Sequence, residues 1–418
     1  MLYRRASAPS YAIVVIAITF VALLVAAGLR SAPSVLILPL ELHFGWSRTT
    51  VSAAAAIGIF LYGLTGPFAA ALMQTLGIRR TMMLGLGLMA ISTLLSLGMT
   101  RPWQYILTWG VMSGIGTGAI APVLGAAMVN RWFAKRQGLM MGLLTASTAT
   151  GALIFLPFMA WLTRAGAWTP VAWFVGLGAV ALMPLVFLFV PESPAAIGIA
   201  RYGEEAGAPA RALPPRGAML AINTLIDAAR QPMFWMLFGT FFICGLTTNG
   251  LVGTHLIAYC GDNGIPAVAA AGLLSLMGFF DLFGTTASGW LTDRYDPRRL
   301  LFVYYALRGL SLIALPFLDF STDGLLVFAV LYGLDWVATV PPTLALANRH
   351  FGEVRAPIVF GWVMTGHQLG AATAAFGAGL IREQTGSYQY AFMIAGLFGV
   401  LAAVMAIALA RQAQPRLA

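Results

Sequence analysis

Hydrophobic residues run along this chain in long blocks, each broken by a short stretch of charge, glycine or proline. About twelve blocks reach the roughly 20 residues that a helix needs to cross a bilayer. They predict helices over roughly 11–40, 48–73, 80–99, 103–130, 137–163, 168–190, 232–259, 266–291, 299–317, 323–349, 356–381 and 388–410. One segment, 191–231, departs from the pattern. It carries Glu204, Glu205, Pro209, Pro214, Pro215 and four arginines, the composition of a linker, with a short surface helix predicted over 223–230. The linker divides the chain into six predicted helices over 1–190 and six over 232–418.

Composition turns this pattern into a class. The 418 residues are 60% hydrophobic and only 9% charged, with a mean hydropathy of +0.85. Soluble domains carry about 25% charged residues. Here the surface must be largely apolar as well as the core, so the solvent is lipid and the helices must satisfy their own backbone groups. The expectation is an all-α polytopic membrane protein with twelve transmembrane helices in two pseudo-symmetric bundles.

The net charge of +10 reads as a topology signal and not as a nucleic-acid footprint. With the N-terminus inside, eighteen of the 24 lysines and arginines fall in inner segments and four, Arg48, Arg101, Arg164 and Arg382, in outer ones. The remaining two, Arg30 and Arg308, lie within helices. That bias places both termini in the cytoplasm and the protein in the inner membrane. The first block is too long for a cleaved signal and reads as a retained helix. Cys244 and Cys260 are sixteen residues apart on the seventh helix, about 24 Å at 1.5 Å per residue. They cannot pair, and no metal-ligand spacing or cofactor motif occurs.

The two halves repeat. Asn130, Arg131, Trp132 and Phe133 recur as Asn348, Arg349, His350 and Phe351, at an offset of 218. Gly142, Gly151 and Pro122 match Gly361, Gly370 and Pro341 at 219, and the turn 70–80 falls on 289–299 at the same offset. Several matches at nearly one offset indicate a parallel duplication.

The second of these turns, with Gly289, Asp293, Arg294, Asp296, Arg298 and Arg299, resembles the inner-loop hallmark of the major facilitator superfamily of secondary transporters, which has Gly where Asp296 stands. The first copy keeps Gly77, Arg79 and Arg80 but has Ala70 and Gln74 for the first Gly and the Asp. Phe44 to Arg48 with Val51 and Ser52, and 130–138, resemble the monocarboxylate-transporter branch, which includes bacterial organic-anion carriers. Phe280 and Asp281 resemble that branch's eighth-helix pair, but Thr285 stands where the branch carries an arginine. The resemblance implies alternating access, with helices one, four, seven and ten lining a path, two, five, eight and eleven beside it, and the others outside. It also implies that Gly289 lets a neighbouring helix approach and that Asp293 caps or pairs with an arginine across the two halves, as a latch.

Charges at membrane depth cost about 2.5–3.5 kcal/mol each on insertion scales and face a cavity or a partner. Arg30, on a path helix, is the foremost candidate for contact with a substrate carboxylate; a pair with Glu41 or a snorkel to the surface is the alternative. Asn249 and His255 on the seventh helix and Trp336 on the tenth are further substrate-binding candidates. Arg308 is expected to reach inward to Asp281 or Asp335. Asp335 is the first candidate for a proton carrier, His367 the second, and Asp281 remains a further one. Pro122 and the pair Pro341 and Pro342 are expected to bend their helices, and Gly114, Gly116 and Gly118 to allow close packing. No phosphate loop, metal cluster or nucleophile–base arrangement occurs, so an enzyme is not expected. The expected function is proton-linked symport of a small organic anion, a monocarboxylate above all; efflux of drugs or apolar metabolites through an aromatic cavity is the alternative.

Overall fold

The computed structural model describes residues 8–412 apart from 121, 165, 205–217, 319, 321 and 353–354. The linker arginines Arg211 and Arg216, and Arg4, Arg5 and Arg416 at the chain ends, lie outside the described residues.

Long helices follow one another: α1 (Ala8–Phe44), α2 (Arg48–Thr75), α3 (Ile78–Ser96), α4 (Pro102–Trp132), α5 (Gln137–Leu162) and α6 (Thr169–Phe189). After the linker come α7 (Pro232–Asp262), α8 (Ala267–Thr292), α9 (Pro297–Phe317), α10 (Gly324–Phe351), α11 (Ala356–Thr385) and α12 (Gln389–Gln412). Ten of these are long and apolar enough to cross a membrane among the described residues. The other two, α5 and α11, are helices of 26 and 30 residues. Local chemistry sets the boundaries. Ser47 caps α2 by accepting from the Thr50 N–H at 3.2 Å, and Asp296 caps α9 by accepting from the Arg298 N–H at 3.0 Å.

The packing repeats as the sequence does. In the first half α1 packs on α5, α2 on α4 and α3 on α6; in the second, α7 packs on α11, α8 on α10 and α9 on α12. Contacts between the halves have the same symmetry, α2 against α11 and α5 against α8, with α1 against α7. Gly114 and Gly116 let α4 approach two neighbours. A methyl on Gly114 would lie 2.7 Å from the Gly58 carbonyl of α2, and one on Gly116 3.0 Å from the Met89 side chain of α3.

The buried core shows where the halves join. Leu36 and Leu40 of α1 share one apolar cluster with Leu256 and Tyr259 of α7 and Leu274 of α8, at the end that carries Arg48 and Arg382. Near the arginine-rich loops the second half has a separate cluster, which includes Phe234, Leu237, Leu346 and Val359. The two halves are thus fused at one end, called here the far end, and keep separate cores at the other, the basic end.

The linker begins docked on the first half. The Tyr202 N–H donates to the Trp132 carbonyl at 2.8 Å, and the Ala134 N–H donates back to the Tyr202 carbonyl at 2.9 Å. Arg201 beside it holds the Glu204 carboxyl below the usual carboxylate range. A short helix, Ala218–Ala229, follows on the surface and presents Ile222 and Ile226 outward.

Candidate substrate cavity

Between the halves lies a cavity of about 710 Å³. Its described lining comes from α1, α2, α4, α5, α7, α8, α10 and α11, with no residue from α3, α6, α9 or α12. Two of the lining helices carry wide π-type turns, Ile106–Met112 in α4 and Leu246–Val252 in α7. These turns bring Trp109, Thr248 and Asn249 to the wall.

The polar centre of the second half follows from a break in α10. Pro341 and Pro342 have no N–H, so the carbonyls of Val337 and Ala338 lose their helical donors. Ser288 of α8 donates to the Ala338 carbonyl at 2.5 Å, and the Val340 N–H turns back to Val337 at 2.9 Å. The Val337 N–H donates to Asp281 Oδ1 at 2.9 Å. Arg308 reaches in from α9 and donates to the carbonyls of Asp335 and Trp336. Its Nε meets Asp335 Oδ2 at 2.6 Å and its Nη1 lies 2.9 Å from Cys244 Sγ. A buried arginine on an outer helix therefore has a structural cause: it satisfies carbonyls and a carboxylate that the broken helix leaves in a dry interior.

Arg30 contrasts with it. It lines the cavity from α1, stacks over the Tyr62 ring at 5.4 Å and makes no ion pair among the described residues. Asp281 also lines the cavity. Its Oδ1 accepts from Val337 and from Thr285 Oγ1 at 2.8 Å, and its Oδ2 has no hydrogen-bond partner among the described residues. Asn249, Trp336 and His367 line the same space, and His367 Nδ1 is buried without a hydrogen-bond partner.

Two expectations need correcting. His255 is not among the described residues that line the cavity; it is buried between the Tyr388 hydroxyl at 3.2 Å and the Ala375 carbonyl at 2.7 Å, because its ring leaves α7 toward α11 and α12. Of the two partners expected for Arg308 the pair forms with Asp335, which is not among the described residues that line the cavity. Glu41 does not pair with Arg30 but with Arg48, at 2.8 Å.

That last pair belongs to the far-end closure. Arg48 of α2, 8% exposed at its side chain, holds Asp262 at the end of α7 through two hydrogen bonds of 2.7 and 2.8 Å, and Arg382 of α11 meets the same carboxylate at 2.7 Å. Arg48 and Asp262 lie in different halves, so this cluster ties the halves together where their cores also fuse. Sequence reasoning counted Arg48 and Arg382 as outer charges and passed over Asp262, whose partners are 214 and 120 residues away.

At the basic end the two copies of the duplicated turn differ. In the first, Gly77 has φ +94° and Glu192 accepts from the Ile78 N–H at 2.6 Å. Arg131 of α4 bonds the Met73 carbonyl at 2.9 Å and lies 3.7 Å from the Glu192 carboxylate. Arg79 packs over the Phe187 ring, and Arg80 is exposed. In the second copy, no atom lies within 4 Å of where a Gly289 side chain would begin. Asp293 and Arg299 are exposed, and Arg294 stacks on its own helix's Trp290 at 4.0 Å. Arg298 lies 3.9 Å from Asp296. Among the described residues the close approach at Gly289 and the latch at Asp293 are not made, and the two halves keep separate cores at this end.

Among the described residues, two matching sets of helices, ten of them long and apolar enough to cross a membrane, pack around a cavity that lies between the sets, the form of a membrane transporter. The family model for the Major Facilitator Superfamily matches residues 18–375, and the chain belongs to that family. Its relatives include monocarboxylate transporter 13 of Rattus norvegicus, 29% identical over 358 residues, which span 83% of this chain and 77% of the rat protein. The uncharacterized MFS-type transporter YcxA of Bacillus subtilis (strain 168) is 24% identical over 397 residues, 94% of this chain and 93% of YcxA. Among solved structures, a bacterial homologue of the human lysosomal transporter Spinster superposes with a TM-score of 0.75 at 15% identity, over 96% of this chain and 97% of that one, a likeness of fold.

Proposed function

We propose that this transporter carries a small organic anion, a monocarboxylate above all, by proton-linked symport across the cytoplasmic membrane. The observation that carries the reading is Arg30: an always-charged, forked donor on the cavity wall with no carboxylate of its own. The similarity to monocarboxylate transporter 13 supports the same class. The basic end is the cytoplasmic one, since inner loops collect arginine and lysine. The two bundles of residues 1–190 and 232–418 rock about the cavity, with the linker 191–231 between them. On this reading the Arg48–Asp262 bond, 2.7 Å long, helps to shut the outward side.

Proton linkage is assigned to Asp335. One of its oxygens holds Arg308 and the other, Oδ1, is buried without a hydrogen-bond partner among the described residues, so protonation changes the bonds that join α9 to the break in α10. His367 on the cavity wall is the second candidate.

Proteoliposomes test both parts. Uptake of labelled monocarboxylates is expected, and Arg30→Ala is expected to abolish most of it. The absence of anion-dependent flux, or a flux untouched by Arg30→Ala, defeats the anion reading. Transport with and without a pH gradient in Asp335→Asn tests the proton site; unchanged gradient dependence removes Asp335 from that role.

A further inference from the structure

The cavity wall carries two opposite charges that do not neutralise each other. Arg30 stands on α1 in the first half and Asp281 on α8 in the second. Neither forms an ion pair among the described residues. Arg30 has only the Tyr62 ring against its guanidinium. Asp281 uses Oδ1 to hold Val337 and Thr285 and leaves Oδ2 without a hydrogen-bond partner among the described residues. Every other formally charged side chain near mid-depth in the second half is spent: Arg308 and Asp335 hold each other behind the wall.

A plain monoanion fits half of this wall. Its carboxylate would satisfy Arg30, but with Asp281 ionised the cavity would then hold two negative charges against the one positive charge of Arg30. Charges in a low-dielectric space interact strongly, so an unmatched carboxylate there opposes binding of a like-charged ligand. A ligand with a carboxylate at one end and an ammonium at the other satisfies both walls and leaves the cavity neutral. It also bridges the two halves, which a one-ended ligand does not. The aromatic surfaces of Trp109, Trp336 and Phe241 on the same wall suit an apolar body. The volume of about 710 Å³ falls in the range of roughly 300–1,000 Å³ that holds small ligands.

We propose that the substrate of this cavity is zwitterionic, an amino-acid-like molecule whose carboxylate meets Arg30 and whose ammonium meets Asp281. The proposal rests on the anion reading of Arg30 and adds Asp281 as a specificity-determining residue.

The test compares ligands that differ only in their charged ends. Binding to the purified full-length carrier is measured calorimetrically for phenylalanine, 3-phenylpropanoate and 2-phenylethylamine, and for leucine, 4-methylpentanoate and isoamylamine. In at least one series the zwitterion is expected to bind about tenfold or more tightly than the acid that lacks its amine, the size of one charge-assisted hydrogen bond. In Asp281→Asn, an isosteric change that keeps the acceptor for Val337, that preference is expected to fall to about twofold or less while affinity for the acid holds or rises. Acids that bind as tightly as their zwitterions in wild type overturn the zwitterion proposal and leave the anion reading standing. A preference that survives Asp281→Asn overturns the role of Asp281. Failure of every carboxylate to bind, or carboxylate binding indifferent to Arg30→Ala, overturns the anion reading and the proposal with it. The wild-type ligand comparison decides the substrate class even where the variant folds poorly.

Discussion

Arg30 and Arg308 are both arginines at membrane depth, one in each half, and their surroundings are opposite. Arg308 is fully enclosed and holds Asp335, two backbone carbonyls and the Cys244 sulfur. Arg30 faces the cavity with an aromatic ring for company. A buried charge whose donors are already used is part of the scaffold. A charge left with free donors on a cavity wall is available to a ligand, and the difference lies in the neighbours, since the residue type is the same.

The sharpest way to break the comparison is to remove the scaffold arginine. Arg308→Ala leaves the Asp335 carboxylate buried without a counter-charge and two carbonyls without a donor. The expected loss is about 3–5 kcal/mol of stability, the usual cost of removing one partner of a buried pair. It is read as a large fall in melting temperature in detergent. Arg308→Leu combined with Asp335→Leu is expected to recover part of that loss, because the charge is removed along with its partner. An unchanged melting temperature in Arg308→Ala would remove the ground for calling Arg308 structural.

The far-end bridge comes next, because it is part-buried and joins two bodies and not one. Arg48→Ala frees Asp262 from the opposite half, leaving Arg382 to neutralise it. Losing hydrogen bonds to a charged group typically costs about 1.5–3 kcal/mol, a loss that falls here on the closed arrangement and not on folding. Spin labels on His43→Cys and Gln384→Cys are expected to report a longer distance across the far end in Arg48→Ala. A distribution that does not move shows that the fused apolar core, and not the ion pair, keeps that end shut.

The sequence carried some of this and could not carry the rest. Hydrophobic blocks located the helices to within a few residues, and the duplicated helices pair alike in the first and second halves. Periodicity reports burial, and the helices are defined by it. Arg308 could be expected to turn inward because its helix belongs outside the path, but the choice between Asp281 and Asp335 depended on the break that Pro341 and Pro342 make in α10. That break is a tertiary matter: its carbonyls and N–H are met by Ser288, Asp281 and Arg308 from two other helices. His255 and Asn249 lie six residues apart on one helix, yet the π turn through 246–252 shifts the register between them. A regular 3.6-residue count therefore misplaces one of the two. Glu192 read as the start of the linker because nothing local marks it as the acceptor for a turn 114 residues earlier.

Arg30 supplies the third test, smaller in free energy and opposite in kind. Arg30→Ala is expected to lower carboxylate uptake by about tenfold to a hundredfold, one or two charge-assisted hydrogen bonds at roughly 1.5–3 kcal/mol each. Its melting temperature should stay within about 1 kcal/mol of wild type, since no ion pair is broken. A variant that loses stability as Arg308→Ala does would show that Arg30 belongs to the scaffold as well.

The contrast between used and unused groups extends to the duplicated turn, where the smallest effects are expected. Gly77 and Gly289 lie near corresponding turns, but only Gly77 is held. Its φ of +94° is open to glycine, and a side chain there would begin 2.4 Å from the Glu192 carboxylate. Gly77→Ala should therefore cost about 1–3 kcal/mol in any arrangement of the halves, because Glu192, Arg131 and the turn all belong to the first half. Gly289 sits inside α8 with open space around it, so Gly289→Ala should change stability in this arrangement by no more than about 0.5 kcal/mol. If the halves close at the basic end during transport, the same methyl meets an approaching helix. The expected signature of Gly289→Ala is then normal melting with slowed turnover and unchanged substrate affinity. Normal turnover in Gly289→Ala would mean that no helix comes close to this position at any stage of the cycle, and that the second turn, unlike the first, has no packing partner to find.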